Sequence, residues 1–147
     1  MEETKGARGL LLELLAKIGC PYEIDDENDI RFKWQGGYFC ALAENDGTFV
    51  TIFYFNWEEC ELYDIDTVSR MKRVINDANN CCLVTTFYSL NEAATTFHIH
   101  SKRQILLIPQ IDDLEGYLQA MLALFFDTSR FIEVEVDKLK NEEERIS

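Results

Sequence analysis

Apolar and polar residues alternate along this chain with two periods, and each change of period marks an element. Residues 7–18 place Leu11, Leu14, Leu15 and Ile18 on one helical stripe, which Leu10 and Leu12 widen, with Gly19 as a left-handed stop and Pro21 beyond it. A short extended piece, Tyr22 to Ile24, leads through the acidic turn DDEND into IRFKW. There the period is two, with Ile30, Phe32 and Trp34 on one face and Arg31 and Lys33 on the other. Gly36 and Gly37 supply a turn, YFCALA returns, and Asn45-Asp46-Gly47 offers a tight hairpin into TFVTIFYF at 48–55.

That last strand is apolar on both faces. One carries Phe49, Thr51, Phe53 and Phe55, the other Thr48, Val50, Ile52 and Tyr54. Aromatic bulk favours the phenylalanine face as the inside, beneath the helices. Val50, Ile52 and Tyr54 are then expected on the open side of the sheet, as a surface for self-association or for a partner.

Beyond Trp57 the helical period resumes, with Asp66 as the expected N-cap, Val68, Met71, Val74, Ile75 and Ala78 on one stripe, and Asn79-Asn80 as the end. CCLVTTFY at 81–88, ATTFHIH at 94–100 and QILLI at 104–108 read as three further strands joined by SLNEA and SKR. After Pro109, a helix starting at Asp112 or Asp113 carries Leu114, Leu118, Met121, Leu122 and Phe125. FIEVEV at 131–136 alternates with period two, so both a continued helix and a strand are open there. The expected fold is α+β: a single domain over residues 1–147, ordered helix, three strands, helix, three strands, helix. Its antiparallel sheet of about six strands has helices packed on one face. The first ~6 and last ~8 residues are expected to fray.

Composition changes this picture little, and charge changes it more. The 147 residues are 47% hydrophobic and 12% aromatic, which is globular. A net charge of -13, from 14 basic and 27 acidic residues, repels phosphate backbones and anionic lipid, so neither nucleic acid nor a membrane surface is an expected partner. The leucines of the first helix are interrupted by Glu13 and Lys17, unlike a signal peptide, and no apolar run approaches the ~20 residues of a membrane span. Five cysteines without metal-type spacing fit reduced thiols in a cytoplasm.

Candidate chemistry is sparse. His98 and His100 share a strand face, the arrangement of two metal ligands, for which Cys81 or Cys82 could supply a third. The competing reading places both histidines on the solvent side with Phe97 and Ile99 in the core. Read as a strand, Cys81 and Cys82 point to opposite faces and so form no redox pair. DDEND lacks the glycine and the distant bidentate glutamate of a calcium loop. Phosphate-binding and nucleophile-elbow motifs are absent from the sequence. No catalytic residue and no cofactor is expected. The expected function is a non-enzymatic cytoplasmic protein-binding or chaperone-like module that buries an apolar sheet face by dimerisation or on a partner segment. The alternatives are a regulatory protein and a small metal- or thiol-dependent enzyme.

The order of elements, the run YEIDDENDIRFKWQGGYFCALAENDGTFVTIFYF and the helix ending INDANN together resemble the YbjN family of small bacterial proteins. The likeness covers roughly residues 8–137, while SLNEAATTFHIHSKRQILLIPQI departs from the pattern. The resemblance implies the fold of type III secretion chaperones, a sheet that pairs or binds, and a role as chaperone or sensory-transduction regulator. It implies no catalytic residues.

Overall fold

The computed structural model describes residues 6–146. In chain order the elements are α1 (Ala7–Lys17), β1 (Tyr22–Ile24), β2 (Ile30–Trp34), β3 (Gly37–Ala43), β4 (Phe49–Glu61), α2 (Ile65–Cys81), β5 (Thr85–Leu90), β6 (Thr96–Leu106) and α3 (Leu114–Ile146). The strands form one open six-stranded sheet in the order β1-β2-β3-β4-β6-β5. This is the α+β class expected, with the strands divided four and two rather than three and three. The polar SKR run is no connector: it lies inside β6, where the fully buried Ser101 hydroxyl meets the Trp57 indole N–H at 3.1 Å and the Thr86 hydroxyl at 3.0 Å. Satisfied in this way, a serine can sit in a buried strand.

By its contacts the chain divides into two compact units. The first comprises the described residues up to Phe55, with Lys102–Ala123. Here Gly19, at φ 73°, ends α1, with its N–H on the Ala16 carbonyl and that of Cys20 on Leu15. The β2–β3 turn is Gln35-Gly36, both left-handed at φ 46° and 82°, so Gly37 already belongs to the strand and pairs with Trp34. The expected Gly36-Gly37 turn is thus displaced by one residue. Residues 44–48 make a looser loop closed by the Gly47 N–H on the Glu44 carbonyl, rather than a tight hairpin.

The register of this unit corrects the reading of the opening strand. Ile30 pairs with Ala41 and Ala41 with Ile52, so the clean alternation of β2 is passed across β3 into β4. Val50 and Ile52 are 0% exposed, and Tyr54, half-buried, stacks on buried Phe39 at 5.0 Å. The expected open-face trio Val50, Ile52 and Tyr54 therefore belongs to the inside. With them are buried Leu11, Leu14 and Leu15 of α1 and Leu118 and Leu122 of α3. Phe49, at 51% exposed, and Phe55, at 44%, lie on the other face. Bulk misled because strand pairing, once fixed at the turn, assigns faces by parity and not by size.

The second unit comprises Asn56–Ser101 and the chain from Leu124 onward. Its core joins Val68, Met71, Val74, Ile75 and Ala78 of α2 to Phe97 and Ile99 of β6 and Ile132 and Val136 of α3. The N-cap of α2 is Asp64, not Asp66: its carboxylate accepts the Thr67 N–H at 3.3 Å and the Thr67 hydroxyl at 2.7 Å. Residues 131–136 are helical. Ile132 and Val136 face the core one turn apart while Val134 faces water, so the period-two pattern was fortuitous. The helix runs on to Ile146 with its last turns exposed, while residues 1–5 and 147 lie outside the described residues.

Candidate functional site

In the first unit the face opposite α1 is largely uncovered. Strand alternation puts Arg31 and Lys33 of β2, Tyr38, Cys40 and Leu42 of β3, and Phe49, Thr51, Phe53 and Phe55 of β4 on it. Tyr38 is 69% exposed and Leu42 41%, and Leu106, whose neighbours Ile105 and Leu107 are buried, is also exposed. Phe53 and Phe55 stack nearly parallel at 4.8 Å. Lys33 Nζ sits 5.2 Å from the centre of the Tyr38 ring. A hollow of about 540 Å³ opens here, lined in part by Arg31, Lys33, Tyr38, Cys40 and Phe55.

One edge of the face is polar and tightly bonded. Asp25 accepts the N–H groups of Glu27 and Asp29 through Oδ1, at 3.0 and 2.9 Å, and the Arg31 Nε–H through Oδ2 at 2.8 Å. The Asp29 N–H, and then the Arg31 guanidinium, hold the Asp25 carboxyl below its ordinary range. Asp25, Asp29 and Cys40 bring their ligand atoms within 4.8 Å of one another. The Asp25 oxygens, however, are already engaged in the turn DDEND, which the sequence marks as a turn. Burial pushes the Cys40 thiol up, with Arg31 opposing, so this thiol is a packed one.

The histidines lie in the second unit. His98 and His100 share a face of β6, with ring centres 6.4 Å apart. His100 is almost buried. Its Nδ1 accepts the backbone N–H of Asn56 at 2.8 Å, which leaves the ring proton on Nε2, 2.7 Å from the Ser89 hydroxyl. Burial, reinforced by His98, holds its pKa below the ordinary value. Asn56 can reach it because it is left-handed, at φ 49°, within β4. His98 Nδ1 faces the Asn56 side-chain oxygen at 2.8 Å and Glu59 at 3.1 Å.

Two chemical readings are weakened by this geometry. A metal needs a lone pair, and both His100 nitrogens are spent on the protein. Among the described residues His98 and His100 also belong to no group of three metal-type ligands. The Ser89–His100 contact, for which no sequence motif exists, has the spacing of a nucleophile and its base. Its tautomer is the wrong one: with the proton on Nε2, His100 donates towards Ser89 and cannot accept the hydroxyl proton. Cys81 and Cys82 are not in a strand as expected; Cys81 ends α2 and Cys82 caps it.

No family model matches the chain, and no curated protein matches it. Among solved structures it is similar to an uncharacterized protein from Methanothermobacter thermautotrophicus. The TM-score is 0.62 at 9% identity, over 90% of this chain and 97% of that one. At that identity the likeness concerns the fold alone. Among the described residues no helix is long and apolar enough to cross a membrane.

Proposed function

We propose that this chain is a non-enzymatic cytoplasmic protein-binding module, chaperone-like in manner, whose open sheet face is buried by another polypeptide. The observation that carries the reading is the row Tyr38, Leu42, Phe49 and Phe55, each more than two-fifths exposed on one face of a single sheet. Apolar residues scattered singly over a surface need no explanation, but a contiguous strip with a hollow in it is a binding feature. The resemblance to the YbjN family, and through it to type III secretion chaperones, supports the same reading. A second copy of the chain is the occupant favoured, because a two-fold axis lets one patch bury itself. The rim of the face suits this: Glu23 pairs across the ladder with Arg31, and Lys33 lies one step further on, so both signs of charge are available for matching.

Sedimentation of wild type against Phe55→Asp and Phe49→Asp tests the proposal. The expected result is a concentration-dependent dimer in the wild type and folded monomers in the variants. A wild type that stays monomeric at high concentration removes the second copy as occupant. A wild type and variants that also bind the dye 8-anilinonaphthalene-1-sulfonate equally weakly leave the face with no binding role.

A further inference from the structure

We infer that Cys81 and Cys82 form a chelating dithiol for a soft, low-coordinate thiophilic centre, of the class of monovalent copper or trivalent arsenic. The inference is independent of the sheet face. Because Cys81 is the last residue of α2 and Cys82 its extended cap, at φ -95° and ψ 155°, the two side chains converge, with Sγ atoms 4.0 Å apart. Cys81 is exposed and Cys82 half-buried, so the pair can be reached from solvent.

With metal–sulfur bonds of about 2.3 Å, two sulfurs 4.0 Å apart subtend an angle of about 120° at a copper ion, which is trigonal; pyramidal trivalent arsenic, with an angle nearer about 100°, draws the same pair in to about 3.5 Å. The ligand count agrees. Among the described residues no histidine, cysteine or carboxylate joins these thiols in a group of three, whereas zinc would ask for four ligands. Two thiolates and an open third position suit soft centres that bring, or do without, a further ligand.

The carbonyl end of α2 has no basic residue in its last turn, so no positive side chain there competes with a centre for the two sulfurs. The Cys81 thiol already donates to the Asp77 carbonyl at 3.3 Å. Binding displaces the thiol protons, so uptake strengthens as pH rises. With monovalent copper, two S–H protons pass to solvent. With phenylarsine oxide, two As–S bonds form and the arsenic oxygen leaves with both protons as one water. Neither step moves an electron.

Intact-protein mass spectrometry with one equivalent of phenylarsine oxide, and competition for monovalent copper against bicinchoninate, test the site on the full chain. The expected result is one centre per chain, with two Ellman-reactive thiols lost on uptake. Cys81→Ser and Cys82→Ser should each abolish uptake that survives a monothiol wash, while Cys60→Ser keeps it. Uptake of only one of the two probes, lost in both variants, supports the site and identifies its source. Absence of any wash-resistant uptake, or its survival in either single variant, overturns the inference. Cys81 is exposed, so Cys81→Ser retains the fold, and its unchanged circular dichroism separates lost chelation from lost structure.

Discussion

Two substitutions on one strand measure which side of the sheet is the core. Ile52→Ala removes three carbons from a side chain that is 0% exposed, lying between Ala41 and the rest of the buried layer. Transfer alone costs about 2.4 kcal/mol at ~0.8 per carbon, and the unfilled cavity raises this to about 3–4 kcal/mol. For a domain of this length that is a fall in melting temperature of about 8–12 °C. Phe49→Ala removes a larger side chain, but half of its surface already meets water and its loss leaves no enclosed cavity, so the cost is about 1–2 kcal/mol, roughly half that of Ile52→Ala. Urea titrations with both variants, at the lowest protein concentration the signal allows, keep any second copy from adding stability. If Phe49→Ala costs as much as Ile52→Ala, or Ile52→Ala melts with wild type, the assignment of faces is wrong.

The remaining predictions concern the second unit. The folded chain holds His100 below its ordinary value of 6.5, so the unfolded chain binds more protons between the two values, and stability falls as pH drops through that window. Urea midpoints from neutral to mildly acid pH should show this slope in wild type and lose it in His100→Gln; an unchanged slope would assign it elsewhere. Ser101→Ala leaves the Trp57 indole N–H and the Thr86 hydroxyl without their shared partner, at a cost of about 1–3 kcal/mol by thermal melting. Asn79 holds the backbone N–H and carbonyl of Thr86 at 2.8 and 3.0 Å, so Asn79→Ala should speed hydrogen exchange at the Thr86 amide at least tenfold. Exchange as slow as in wild type would show that β5 holds this position without it.

Much of the fold was legible because periods of two and 3.6 are hard to confuse over long segments. The stripes of α1 and α2 and the alternation in IRFKW appear where the pattern puts them. The errors share a cause: each needed information from outside its own window. The face of β4 is decided by the two-residue turn after Trp34, through Ile30, Ala41 and Ile52, and TFVTIFYF alone does not contain it. Had the left-handed pair been placed at Gln35-Gly36, the alternation of β2 could have been carried into YFCALA. The five-residue loop at 44–48 would still have hidden the last step. The helical 131–136 depends on α2 covering Ile132 and Val136, and the strand interior at Ser101 depends on Trp57 and Thr86. The Ser89–His100 contact depends on β5 lying beside β6, and the converging thiols of Cys81 and Cys82 on where α2 stops.

Sheet order also sets a timetable for folding. The β2–β3 hairpin closes over two residues, an event of microseconds, and β1 and the start of β4 can add to it with little loop entropy. The β4–β6 pairing is different, because α2 and β5 lie between those strands in the chain, and closing so long a loop must precede its reward. Docking of β6 is the step this order predicts to be slow, and until it happens β4 is a bare edge. A chain that pauses there offers the backbone of β4 to any extended segment nearby, so refolding yield should fall with protein concentration even when the native state is secure.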